Sequence, residues 1–173
     1  SEKISSVLKS VEKPGRYAGG EYGAVLKDKE KVKARFAFCF PDTYEIGMSN
    51  LGVRILYGVL NSDPDIWCER AYAPWVDMQA KMRELSIPLW AHESGDPLTD
   101  FDIIGFTLQY EMCYTTVLSM LKLSGIPLLA AERGEDAPVL IGGGPCAYNA
   151  EPMADFFDCF SIGEGEDCLL EFT

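Results

Sequence analysis

Histidine is almost absent from this 173-residue chain, where His92 stands alone, and the six cysteines form no CxxC pair. Zinc and iron–sulfur sites need thiolates or imidazoles clustered on short loops, so Cys39, Cys68, Cys113, Cys146, Cys159 and Cys168 build no metal cage of that kind. No apolar run approaches the roughly 20 residues needed to span a bilayer, and the start, SEKISSVLKSVEKPGR, is polar and mixed in charge, unlike a signal peptide. The expectation is a soluble, cytoplasmic protein whose cysteines are reduced, small hydrophobes. Neither GxGxxG nor a P-loop occurs, so dinucleotide and nucleoside triphosphate sites lack their usual signature.

Basic residues are scarce beyond the first segment. Residues 1–35 hold nine Lys+Arg against five Asp+Glu, whereas residues 36–173 hold six against twenty-two, within a net charge of −12. So acidic a body argues against nucleic acid as a partner, and the basic N-terminal stretch reads as a solvated arm. His92 lies in a polar segment beyond Trp90, away from the strand ends described below, and reads as a bystander.

What is present is a folding pattern. A hydrophobic content of 47% with 24% charge belongs to a globular chain with one core of ordinary size. Residues 1–33, punctuated by Pro14, Gly15, Gly19, Gly20 and Gly23, read as a helix over Ile4–Glu12 followed by an extended arm. From residue 34 to 173 strands and helices alternate. Strands are expected at Ala34–Phe40, Ile66–Tyr72, Asp102–Leu108, Pro138–Gly144 and Asp158–Glu166; helices at Asn50–Ser62, Trp75–Leu85 and Met112–Gly125, with a last one from Asp167. Ile87–Ser94 is a short strand or an extended connector. Strands that are apolar throughout, each followed by a helix, indicate a doubly wound, mostly parallel α/β sheet of about five strands with helices on both faces.

Such sheets bind ligands beyond the carboxyl ends of their strands. The stretch PDTYEIGMS (41–49) is long for a βα turn and places Asp42, Tyr44 and Gly47 at fixed steps. Left to local evidence, Asp42 and Ser49 cap the following helix, or the loop floors a binding cleft. TLQYEMCY puts Thr107, Gln109 and Tyr110 at another strand end. Gly142, Gly143 and Gly144 allow a flat group to approach the backbone closely. Gly163 sits in GEGE, whose Glu164 and Glu166 read as solvated surface acids.

Together these loops resemble the cobalamin-binding domain family, whose signature is Asp-x-His-x-x-Gly after the first strand, Ser-x-Leu after the third and Gly-Gly after the fourth. Here Asp42 and Gly47 keep the acid and the glycine, Tyr44 replaces the histidine, Thr107 is what survives of the second motif, and Gly142 and Gly143 match the third. A closer resemblance is to the N-terminal region of a group of radical SAM proteins, carried by FPDTYEIGMSNLG, GFTLQYE, IGGGPCAYNAEPMADFFD and IGEGE. This resemblance implies a cobalamin without a histidine ligand, held by Asp42, Tyr44, Gly47, Thr107, Gln109, Gly142, Gly143, Gly144 and Gly163. It places the corrin across the rim where the first and fourth strands end side by side. It also implies a downstream radical SAM domain in the same polypeptide as partner, where a [4Fe–4S] cluster and S-adenosylmethionine would bind. The alternative is a degenerate scaffold that has lost the cofactor and contacts substrate or partner, because the histidine is missing and bulky side chains crowd the loops.

Overall fold

The computed structural model describes residues 2–173, leaving aside the side chains of Glu2, Lys3 and Asp167. Five parallel strands, β1 (Ala34–Phe40), β2 (Ile66–Tyr72), β3 (Ile103–Thr107), β4 (Val139–Gly143) and β5 (Cys159–Phe160), form one sheet in the order β2-β1-β3-β4-β5. Among the described residues six α-helices accompany them: α1 (Glu2–Leu8), α2 (Tyr44–Ser49), α3 (Leu51–Ser62), α4 (Val76–Leu85), α5 (Tyr114–Ser124) and α6 (Gly165–Phe172).

The winding is double because β1 alternates between two cores. Phe36, Phe38 and Phe40 pack with Val53, Tyr57 and Leu60 of α3 and Leu169 of α6, whereas Ala37 and Cys39 pack with Met78 and Met82 of α4 and with Val117 and Leu121 of α5. Each large side chain so buried contributes about 1.5–3 kcal/mol. The direction of winding reverses between β1 and β3, the position at which doubly wound sheets open a crevice. The rim geometry therefore differs from expectation: β1 and β4 end on the same edge, but β3 lies between them.

The stretch after β1 is also corrected. Only Pro41–Thr43 is loop, because Tyr44–Ser49 closes into α2 and Asn50 breaks the chain at φ −72°, ψ 120°. The Asn50 side chain, rather than Asp42 or Ser49, caps α3 by accepting from Val53 N–H at 3.0 Å. Ser49 turns back on the Ile46 carbonyl. Ile87–Ser94 is a connector, with one isolated bridge from Trp90 to Pro97. The first helix ends at Leu8, and α6 starts at Gly165.

Residues 9–33 contain one short 3₁₀ turn, Pro14–Tyr17, and lie along the β2 side. Val7 and Val11 enter the core, Trp67 Nε1 donates to the Val25 carbonyl, and Lys27 Nζ caps the carbonyls of Asn61, Asp63 and Ile66. All six cysteines are free thiols, with Cys39, Cys68 and Cys113 buried. Among the described residues no helix is long and apolar enough to cross a membrane.

Candidate functional site

A cleft opens on the α3/α6 face at the carboxyl ends of β1, β3 and β4, with an empty volume of about 720 Å³ out to its mouth. Its apolar walls are Phe36, Phe38, Val53, Leu56, Ile141 and Leu169. Its polar groups are few: Asn50, Thr107, Gln109 and Ser161.

Glycine makes the room. Parallel pairing sets Thr107 opposite Gly143, so a hydroxyl and a bare backbone share one step of the rim. A Cβ at Gly143 would find nothing nearer than the Ser161 carbonyl oxygen at 4.0 Å, so the space above it is open. Gly144, at φ +89°, turns the chain against Thr107 and Leu108, a conformation that disfavours other residues. Gly163, at φ +112°, lines the far side. Gln109 Nε2 donates to Thr107 Oγ1, fixing the amide beside the mouth. Thus Thr107, Gln109, Gly143, Gly144 and Gly163, five of the nine residues expected to hold a ligand, line one cleft.

The other four do not. Gly142 faces the opposite core, where a Cβ would meet the Phe160 ring at 2.8 Å, so packing explains it. Gly47 lies beneath Tyr72, whose ring would be 2.4 Å from an added Cβ. Asp42 lines a separate cavity on the α4/α5 face with Tyr110, whose O–H donates to Asp42 Oδ2 at 3.2 Å.

Tyr44 turns toward the arm. Its O–H donates to Glu21 Oε1 at 3.1 Å, and its ring meets Tyr72 edge-on at 5.5 Å and His92 at 5.1 Å. His92 Nε2 reaches the same Glu21 oxygen at 2.5 Å. His92 is therefore no distant bystander: it packs against the helix that follows β1, because its backbone N–H bonds to the Arg70 carbonyl at the end of β2. Burial would raise the Glu21 pKa, yet the His92 hydrogen bond and charge, with the Tyr44 hydroxyl, hold it below the usual carboxylate range. Burial and the Glu21 charge push the Tyr44 phenol up.

Sequence reasoning missed the aromatic and aliphatic walls, Phe36, Phe38, Leu56 and Leu169, because a cleft wall and a core strand share one composition. A signal existed in Gly52 of α3 and Gly165 of α6, which line the cleft; Gly105 of β3 lines it too, but the Phe36 ring would lie 2.5 Å from a Cβ there. Glu164 and Glu166 are exposed, as read from sequence. Among the described residues no three His, Cys, Asp or Glu side chains cluster to hold a metal.

Comparison with known proteins follows the same lines. The uncharacterized protein MJ0966 of Methanocaldococcus jannaschii is 28% identical over 144 residues, covering 82% of this chain and 27% of that protein, so the chain spans about a quarter of the relative's length. No solved structure matches. The model of the family described as radical SAM proteins, N-terminal, matches residues 52–173, and the chain belongs to that family.

Proposed function

We propose that residues 34–173 hold a cobalamin, with no protein imidazole on its cobalt, and present it to the radical SAM domain that family membership implies in the same polypeptide. The observation carrying this reading is the glycine-floored, apolar cleft at the carboxyl edge, bounded by Thr107, Gln109, Gly143, Gly144 and Gly163. A planar aromatic tail with a polar end suits such a space: its walls are apolar, while Asn50, Gln109 and Ser161 offer hydrogen bonds at the mouth.

The residues fit the nucleotide tail and do not fit a protein ligand beneath the corrin. Tyr44, at the place of the family's histidine, is held inward by Glu21, Tyr72 and His92. A bound cobalamin would supply a methyl group or a cobalt redox centre. The chain's own part is to bind and orient: the Thr107–Gln109 pair fixes one wall, and the glycines leave the floor bare. The [4Fe–4S] cluster and S-adenosylmethionine belong, on this reading, to the linked domain.

Titrating the purified protein with hydroxocobalamin tests the proposal. Retention of the corrin on gel filtration together with a changed absorption spectrum is the expected result. The inward commitment of Tyr44 favours a second reading, a scaffold that has lost the cofactor, under which neither change is seen.

A further inference from the structure

On the opposite face of the sheet from the cleft, a second cavity of about 550 Å³ out to its mouth opens at the carboxyl ends of β1, β2 and β3. It is lined by Asp42 after β1, Pro74, Trp75 and Gln79 at the start of α4, Tyr110 after β3 and Thr116 in α5. Asp42 is the only charged side chain in that lining. Its Oδ1 accepts from Thr43 N–H at 2.7 Å and its Oδ2 from the Tyr110 hydroxyl at 3.2 Å, which leaves lone pairs free on both oxygens.

No lysine, arginine or histidine pairs with Asp42 among the described residues. The segments that build this end of the molecule, 41–53, 71–80 and 105–121, contain no basic residue at all. Two cations of the arm are committed elsewhere: Arg16 is bound to Glu45 at 2.9 Å and lies over the Trp75 ring at 5.3 Å, and Lys13 pairs with the same Glu45 at 3.5 Å. The Trp75 indole thus already lies against one guanidinium. The partial positive charge at the start of α4 is opposed by Asp77 in its first turn. The Asp42 charge, followed by burial, pushes the Tyr110 phenol up.

What the cavity offers a guest is therefore an unneutralised carboxylate flanked by two half-exposed aromatic rings, Trp75 and Tyr110, and a Thr116 hydroxyl. Anions are repelled there, and a neutral apolar group would strip the carboxylate of water without replacing its hydrogen bonds. A compact organic cation satisfies every wall at once, with N–H donors for Asp42 and charge against the π faces. We propose that this cavity is a recognition site for an alkylammonium or guanidinium group, borne by a free amine or by a lysine or arginine side chain. The site stands on the other face of the sheet and does not depend on cobalamin binding.

The test is ¹⁹F NMR of the purified protein labelled with 5-fluorotryptophan, the Trp75 signal being assigned with Trp75→Phe. Butylammonium and methylguanidinium should shift that signal saturably, 1-pentanol of similar length should not, and Asp42→Asn should weaken the cation response about tenfold. N-acetyl-lysine methylamide run in parallel distinguishes the sources: tighter binding than butylammonium marks a side chain, weaker binding a free amine, and each supports a cation site. Should Asp42→Asn fail to fold, Thr116→Lys places an ammonium in the cavity and should abolish the response at an unchanged melting temperature. An equal shift with pentanol, or an unchanged half-saturation in Asp42→Asn, overturns the proposal.

Discussion

Thr107 and Gly143 stand directly opposite one another in the parallel β3–β4 register, which brings a polar strand end and a side-chain-free strand end to one point on the rim. One of them has no Cβ, and the space above it is open. Its neighbour Gly142, one step back, points to the other face and is glycine for a different reason: the Phe160 ring fills the space.

The two glycines therefore separate function from folding. Gly143→Leu should keep the fold, within about 1 kcal/mol in urea denaturation, while abolishing corrin retention. Gly142→Leu should destabilise the protein by about 1–3 kcal/mol or more through overpacking against Phe160. Denaturation curves read beside cobalamin titrations check both.

Tyr44 bears on the same question from the other side. Because its hydroxyl is spent on Glu21, Tyr44→Phe should leave cobalamin affinity within about twofold and cost about 1 kcal/mol of stability through the lost hydrogen bond. A large loss of affinity would place the phenol under the corrin after all.

Arg35 is buried between Trp67 and Phe101 and pairs with Glu69, itself fully buried, at 2.6 Å and with Asp96 at 3.0 Å. Removing one partner leaves charge without full compensation, so Glu69→Ala should cost about 3 kcal/mol, measured by chemical denaturation. Glu69→Gln should cost less, since an amide oxygen can still accept from the guanidinium.

Glu21 ties the arm to the sheet in a pH-dependent way. Its carboxyl is held below the usual range, so its contribution is complete above the unfolded-state pKa of about 4.3 and is lost as the pH falls through the lower folded-state value. Glu93 works with the opposite sign, because burial pushes its carboxyl up despite Arg70. Comparison with a variant isolates the first effect: thermal melts of Glu21→Gln should show a shallower loss of stability below about pH 4.3 than the parent protein.

The strands were legible in the sequence because ARFAFCF and DIIGFTL, apart from Arg35, Asp102 and Thr107, are apolar on both alternating faces, as a sheet covered on both faces requires. Helix α2 was not. YEIGMS is short and carries Gly47 and Ser49, poor helix residues, and it holds together because Gly47 lets it press against Tyr72. The direction of Tyr44 was equally hidden, since it depends on Glu21, 23 residues earlier in the arm, and on His92, which reaches it from the connector after α4. Motif spacing locates a rim; which residues of the rim face a ligand is decided by packing partners far away in sequence.

The central claim is that the cleft takes the nucleotide tail of cobalamin. Comparing cobalamin with cobinamide, which has the same corrin and lacks that tail, addresses it most directly by isothermal titration of the purified protein. The account predicts that cobalamin binds at least about tenfold more tightly, a difference of about 1.4 kcal/mol, and that Gly143→Leu erases the difference. Equal affinities for the two corrinoids, or no binding of either, would contradict it.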